Sequence, residues 1–187
     1  MATTSKTNRQ PTWNDTKAML VNFDRPGLIG LLKDLHALNP ENRAFLQARL
    51  ALGADPLAPY KASIARWICP DVTRSQNTSV AKAKKAIADY RKATGLPEGM
   101  AELSIFYCEQ AADLLSFCGM DDDGYFNALV RMYGQALSIT SALPATEKAI
   151  RLQRLDAVRA ALAGVGWGVK DAMDELWLEY ENDDAPE

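Results

Sequence analysis

Apolar side chains at helical spacing, repeatedly interrupted by Pro, Gly and Asn, constrain the fold of this chain more than any other feature. From about residue 25 to 180 they recur every three to four positions, the period of one helix face. No segment alternates strictly between apolar and polar residues with hairpin turns at its ends, so no strand is predicted. The pattern predicts an all-α fold, an antiparallel multi-helix bundle of about eight helices. A short helical-repeat solenoid is the alternative, although the side-chain pattern does not repeat between helix pairs.

Start and stop signals place the predicted helices. Asp24 and Pro26 form a capping sequence, because Asp can accept a hydrogen bond from a first-turn N–H and Pro fits the first turn. The helix that follows has one leucine-rich face, made of Leu28, Leu31, Leu32 and Leu35. The eight predicted helices cover about 25–38, 40–53, 57–68, 79–94, 97–117, a segment that begins at 121–123, a segment from 145 to the glycines of 164–168, and 169–180. The sixth is apolar on more than one side, which is typical of a central helix.

The length of 187 residues fits one domain, or two small fused domains. A chain of this size buries roughly 70% of its unfolded surface, which is enough for a substantial core. We interpret residues 1–22 as a flexible N-terminal arm with Trp13 as its only large anchor, residues 23–181 as a single helical domain, and residues 182–187 as an acidic tail.

Three observations on targeting and redox state bear on location. No run of 18 apolar residues occurs, and the first residues lack the apolar core of a secretory signal. The chain has three cysteines, of which Cys108 and Cys118 are predicted to share one helix about 15 Å apart, too far for a disulfide. These features predict a reduced, cytoplasmic protein without a membrane partner.

The charge of the chain is split between its halves. Residues 1–95 contain 15 Lys and Arg but 7 Asp and Glu, a net charge of +8. Residues 96–187 contain 6 basic and 17 acidic residues, a net charge of −11. Such asymmetry indicates charged partners, or pairing between the halves within the chain or head to tail with a neighbouring copy.

The fourth predicted helix, residues 79–94, concentrates the positive charge. Its basic residues are Lys82, Lys84, Lys85, Arg91 and Lys92. A face of this kind could hold phosphates, which makes nucleic acid one candidate partner. The preferred interpretation is a solvated surface, or one that docks on acidic residues, because Tyr90 is the only aromatic residue there that could stack on a base.

The fifth predicted helix carries an acidic stripe, made of Glu98, Glu102, Glu109 and Asp113. A di-metal site in a helical bundle typically uses Glu-x-x-His motifs, and the only histidine, His36, lies on another helix without such a Glu. No metal or other cofactor is therefore predicted. We expect the stripe to pair with basic helices, within the chain or across an interface, and in part with the oppositely charged helix that precedes it.

Other motifs fail when their spacing is checked. Residues 121–124, Asp-Asp-Asp-Gly, would form a calcium loop only with acidic ligands where Gly119 and Val130 stand, so helix capping is the better interpretation. The glycines of 164–168 lack the strand and third glycine of a nucleotide fingerprint and suit close helix packing or a hinge. A single histidine gives no basis for a Ser/His/Asp triad, and no catalytic residue is predicted.

Two stretches of the sequence together resemble those of a known family. One is DLHALNPENRAFL at 34–46; the other is KAKKAIADYRKA at 82–93, followed by AEL at 101–103, YCE at 107–109 and YFNAL at 125–129. Over about residues 24–140 the chain resembles a family of small bacterial all-helical proteins known only as a domain of unknown function. The resemblance implies a bacterial, soluble, helical protein and transfers no catalytic residue.

The leading hypothesis is a non-enzymatic protein that binds another protein or a second copy of itself. It rests on the split charge and on the lack of a catalytic set. The runner-up is a nucleic-acid-associated protein that uses the basic helix. A third hypothesis, an enzyme with carboxylate chemistry around Glu102 and Glu109, requires an apolar cleft in which their pKa values are raised.

Overall fold

The computed structural model describes residues 9–183, and within that range it contains helices and no strand. The predicted all-α fold is confirmed, with nine α-helices in the described residues instead of about eight. They are α1 (Trp13–Leu20), α2 (Arg25–Leu38), α3 (Pro40–Arg49), α4 (Ala58–Ile68), α5 (Val80–Ala93), α6 (Pro97–Phe117), α7 (Asp123–Ser141), α8 (Ala145–Ala161) and α9 (Val169–Asp183). A short 3-10 helix, Val72–Arg74, lies in the loop between α4 and α5.

Most helix ends lie where the capping residues predict them. The Asp24 carboxylate accepts a hydrogen bond from a first-turn N–H of α2 at 2.8 Å, and Asp122 accepts one at the start of α7 at 3.0 Å. α3 is the exception, because it ends at Arg49, four residues before the predicted stop at Gly53. Ala51 there has a φ of 51°, in the left-handed region that terminates a helix.

The additional helix is α1, which lies in the segment interpreted as a flexible arm. Its first turn is closed by a capping box, in which the Thr12 backbone N–H donates to the Asp15 carboxylate at 2.7 Å. The Thr12 hydroxyl also donates to this carboxylate at 2.7 Å. The helix has eight residues and none is buried, so it carries too little apolar periodicity to be predicted. Trp13 is 68% exposed and does not act as the expected anchor.

The contacts within the chain divide it into two compact units, residues 1–43 and residues 44–187. This division falls inside the range 23–181, and the predicted domain boundaries stay predictions. The first unit holds α1, α2 and the first turn of α3, and none of its described residues is buried. Of the predicted acidic tail, residues 182 and 183 belong to α9, which continues to Asp183, and residues 184–187 lie outside the described residues.

In the second unit, α4–α9 form a bundle organised around α6. This helix packs against α4, α5, α7 and α8, and twelve of its residues are buried. The sixth predicted helix, α7, is also largely buried, but it packs against α6, α8 and α9 and is less central than α6. The sequence did not predict that α6 is the central helix, because charged residues usually indicate an exposed helix. Here Glu102 and Glu109 are paired with cations of neighbouring helices.

Aromatic contacts fix the direction of α4 relative to α5. At one end the rings of Tyr60 and Tyr90 meet edge to face, with centroids 5.3 Å apart. At the other end Lys82 Nζ lies 3.8 Å from the centroid of the Trp67 ring. The start of α4 therefore lies beside the end of α5, and the two helices are antiparallel, as predicted for neighbouring helices.

Two further features concern membranes and thiols. Across residues 9–183, every helix is too short or too polar to cross a bilayer. The cysteines Cys69, Cys108 and Cys118 are all unpaired. Cys108 is buried on α6, and burial raises the pKa of its thiol.

Candidate functional site

An ion-pair network joins α4, α6 and α8, and it consists of Lys61, Glu102, Glu109 and Arg154. Lys61 Nζ donates to Glu102 Oε1 at 2.6 Å. The Arg154 guanidinium donates to Glu109 through Nε at 2.7 Å and Nη2 at 2.9 Å, and it also donates to Glu102. The four side chains are between 18% and 30% exposed. The planar guanidinium matches the geometry of a carboxylate. Arg154 of α8 therefore binds two carboxylates of α6 at the same time.

The network favours the charged form of the Glu102 carboxylate. Burial would by itself raise the pKa of Glu102, but hydrogen bonds and positive charge from Arg154 and Lys61 outweigh burial and lower the pKa below its ordinary 4.5. The pKa of Arg154 is raised, first by its hydrogen bond to Glu109 and further by Glu102, against the effect of burial. A catalytic acid needs a raised pKa at neutral pH. Glu102 therefore lacks the raised pKa that the carboxylate-enzyme hypothesis requires.

The basic helix α5 does not supply the partners of these carboxylates, and the expectation that α5 pairs with the stripe is wrong. The partners come from α4 and α8, 41 and 52 residues away from Glu102 in the sequence. On α5, Lys85 and Lys92 form ion pairs with Asp89 of their own helix. The two helices are neighbours, but packing of α5 on α6 turns the basic side chains outward.

The outward side of α5 forms a basic face, which consists of Lys84, Lys85, Arg91 and Lys92, all exposed. Within the described part of the chain, Lys84 and Arg91 form no ion pair. These two residues and Lys85 border a shallow groove of about 330 Å³ whose lining includes Met100 and Met132. A positive rim around an apolar floor favours an anionic ligand with apolar parts.

The remaining predicted residues lie apart from both features. The Lys82 ammonium lies over the Trp67 ring and forms a cation–π interaction with it. The Arg66 guanidinium carbon lies 4.4 Å from the centroid of the same ring. Asp113 is exposed and accepts a hydrogen bond from Gln110 at 3.1 Å. Of the acidic stripe, the structure brings together Glu102 and Glu109.

The described residues include no group of three or more His, Cys, Asp or Glu side chains placed to hold a metal ion. The aspartates of 121–123, which superficially suggest a calcium loop, serve α7 instead: Asp122 caps the helix and Asp123 lies in its first turn. Negative charge at this end of a helix is favourable because of the helix dipole.

A leucine face on α2 is exposed in the first unit. It consists of Leu28, Leu31, Leu32, Leu35 and Leu38, which are between 37% and 71% exposed. At 100° per residue these side chains lie within roughly 120° of the helix circumference. The charged side chain of Lys33 lies on the opposite side of the helix. An apolar stripe of this width normally packs on a core, and here it faces solvent.

Trp167 occupies an unusual backbone position between α8 and α9. Its φ is 67°, its side chain is 65% exposed, and its ring stacks on Phe126 with centroids 6.3 Å apart. Close helix packing does not explain the neighbouring Gly164 and Gly166, because nothing lies within 4 Å of a Cβ built on either. A bulky residue in the left-handed region is rare, and the Phe126 ring is the aromatic contact of this one.

Sequence reasoning missed Lys61 and Arg154, which complete the ion-pair network, and did not assign the leucine face to binding. Arg154 carries a weak signal, since it is a basic residue three positions after Arg151 on an amphipathic helix. The regular spacing of the leucines is a stronger signal in the sequence. The apolar pattern alone does not distinguish a stripe that packs on the core from a stripe that binds a partner.

No protein-family model, curated protein or solved structure matches this chain. The resemblance to a family of unknown function stays a prediction. The leucine face, the basic face and the ion-pair network therefore carry the functional proposal.

Proposed function

We propose that this chain is a non-enzymatic protein-binding module that binds its partner through the leucine face of α2. The single observation that carries the proposal is the exposure of five leucines on one side of a capped helix. Contiguous exposed apolar surface on a monomer marks interaction sites. The ion-pair network does not suit catalysis, because both carboxylates are held by cations.

The leucine face supplies part of the free energy that a specific interaction needs. Complete burial of a leucine side chain contributes about 1.5–3 kcal/mol. The five leucines are about half exposed, so covering them contributes on the order of 5 kcal/mol. Association costs roughly 4–15 kcal/mol in lost translational and rotational freedom, so further contacts around the face are needed for a stable complex.

The test compares a double variant, Leu31→Glu with Leu35→Glu, with the matched control Lys33→Glu on the opposite side of α2. Neither variant alters a buried residue, so circular dichroism should be unchanged for both. Self-association is measured by sedimentation, and capture of other proteins from a lysate of the source organism is quantified by mass spectrometry. We expect binding, to itself or to another protein, to be lost in the leucine variant and kept in the control. Unchanged binding in both variants, or none by the wild type, would contradict the proposal.

A second candidate function is nucleic-acid binding by the basic face. The observation that favours it is that Lys84 and Arg91 form no ion pair with described residues and border the groove beside α5. Binding of a labelled duplex at about 50 mM salt should then weaken steeply as salt rises, because phosphate contacts release counterions. Lys84→Gln with Arg91→Gln should weaken it, whereas Lys82→Gln, whose charge lies over Trp67, should have less effect. No shift by the wild type at low salt would exclude this function.

Location and origin are part of the same proposal. Three unpaired cysteines support a reducing, cytoplasmic compartment. The resemblance to a bacterial family supports a bacterial origin and carries no activity with it.

A further inference from the structure

We infer that the occupant of the leucine face is a second copy of this chain, which makes the protein a symmetric dimer in which α2 packs against α2. The inference rests on the proposed function and names its partner. In such an interface the same patch of both copies meets, so the patch must be complementary to itself.

The spacing of the leucines suits a helix–helix seam. Leu28, Leu31, Leu35 and Leu38 follow one another at intervals of three, four and three residues, the a and d positions of two consecutive heptads. Leu32 lies beside this seam and widens it. Because the seam is made of one residue type without a charge or a polar group, two copies can pack without burying an unpaired polar atom.

The net charge of the first unit permits two copies of this unit to pack against each other. Residues 9–43 contain five basic and four acidic residues, a net charge of +1. Two copies of this unit therefore approach without the repulsion that two copies of a strongly charged surface would meet. The split charge of the whole chain lies mostly outside this unit and does not oppose the pairing.

Five leucines require an apolar partner surface of similar size. A second α2 provides one.

The leucine face supplies part of the apolar area that a small specific interface needs. Its five leucines are between 37% and 71% exposed and amount to on the order of 200 Å² of apolar surface per copy. A specific interface buries roughly 800 Å² per partner, of which slightly over half is apolar. The same unit also exposes Phe23 and, on α1, Trp13 and Met19.

Sedimentation velocity and light scattering of the full chain test the inference over concentrations up to about 100 µM. We expect a dimer. Leu31→Glu should raise its dissociation constant at least about 100-fold, because each copy would bring one unpaired carboxylate into the seam. Lys33→Glu, on the opposite side of α2, should change it less than about threefold. A monomer throughout this range, or a dimer unaffected by Leu31→Glu, would overturn the inference.

Salt separates this dimer from head-to-tail pairing of the charged halves. Raising salt from about 50 mM to about 500 mM should leave the leucine-face dimer intact, whereas a dimer held by opposite charges should dissociate. Dissociation by salt would overturn the inference. If the wild type is monomeric but captures another protein in a manner that Leu31→Glu abolishes, the second copy is the wrong partner and the proposed function stands. If Leu31→Glu changes neither measurement, both fail.

Discussion

Arg154 holds two carboxylates of α6, so the ion-pair network depends on it more than on any other residue. Substitution to Met keeps an unbranched stem but removes the guanidinium and leaves Glu109 without its cation. We expect Arg154→Met to lower the free energy of unfolding by about 2 kcal/mol, less than for a fully buried pair because the network is partly exposed. Urea denaturation at neutral pH measures the change.

The matched control for Arg154 is Arg74→Met, which removes the exposed ion pair between Arg74 and Asp71. Exposed pairs contribute about 0–1 kcal/mol, so the control should lower stability by no more than this. Equal losses in both variants would show that the network contributes no more than a surface pair.

The lowered pKa of Glu102 predicts how stability depends on pH. Since the folded-state pKa lies below the ordinary 4.5, the contribution of Glu102 is complete above that pH and is lost as pH falls through the folded value. Glu102→Gln should therefore be less stable than wild type at pH 7, and the difference should shrink as pH decreases below 4.5. Urea midpoints of both proteins across this range provide the measurement. A constant difference would contradict the assignment.

Gly99 at the start of α6 is fixed by a close approach of Tyr90. A Cβ at residue 99 would lie 2.0 Å from the Tyr90 hydroxyl oxygen and 2.4 Å from its ring, and Tyr90 is itself buried against Tyr60. Gly99→Ala should therefore destabilise the protein by about 1–3 kcal/mol. Gly30→Ala is the control, because nothing lies within 4 Å there and α2 has no buried residue. Thermal unfolding should move to lower temperature for Gly99→Ala and stay unchanged for Gly30→Ala.

Single residues also explain what the sequence could and could not predict. Asp24 and Asp122 cap their own helices, so a local pattern predicted both starts correctly. The partner of Glu102 is Arg154, 52 residues away, and its choice depends on which faces of α6 and α8 meet. Local periodicity contains no information about that choice, and the pairing of the acidic stripe with α5 was accordingly the wrong expectation.

At the scale of elements, the cap of α7 is open to a direct test. Asp122 accepts a hydrogen bond from Tyr125 N at 3.0 Å and lies at the positive end of the helix dipole. Asp122→Ala should lower the free energy of unfolding by about 1 kcal/mol. Asp121→Ala removes a similar charge but no cap, and its loss should be smaller, within about 0.5 kcal/mol. Similar losses would mean that charge, rather than the hydrogen bond, stabilises this helix end.

Helices α2 and α6 show a limit of the sequence pattern. The pattern predicted where each helix lies, and it did not predict which of the two is buried. Both helices begin close to the predicted residue, at Arg25 and Pro97. α2 has the more regular stripe and buries none of it, whereas α6 carries the acidic residues and is the centre of the core. Amphipathic spacing predicts that an apolar face will be buried, and it does not distinguish burial against the core from burial against a partner.

At the scale of the whole molecule, folding converts the split charge into two separate features. Part of the acidic half is neutralised inside the second unit, where Lys61 and Arg154 hold Glu102 and Glu109. The basic face of α5 remains outward, and Lys84 and Arg91 find no ion-pair partner among residues 9–183. The charge is thus paired within the chain at Glu102 and Glu109, and it is exposed on the basic face of α5.

The division into two units predicts that stability and self-association are separable. All buried residues of the described chain lie beyond residue 43, and α3 contributes Ala44 and Ala48 to that core. The fragment 40–187 keeps α3 whole, including Arg49, which donates to the Lys92 carbonyl at 2.8 Å. It should unfold cooperatively, as a monomer, with a Tm within about 3 °C of the Leu31→Glu full-length chain, because both lack a working leucine face.

Leu31→Glu is the reference because dimerisation itself raises the apparent Tm of the wild type, and this rise grows with the logarithm of concentration. Scanning calorimetry of the fragment, the variant and the wild type at two concentrations therefore separates the two contributions. Only the wild type should show a Tm that rises with concentration. A fragment that fails to unfold cooperatively would mean that residues before 40 support the core, even though none of those described is buried in it.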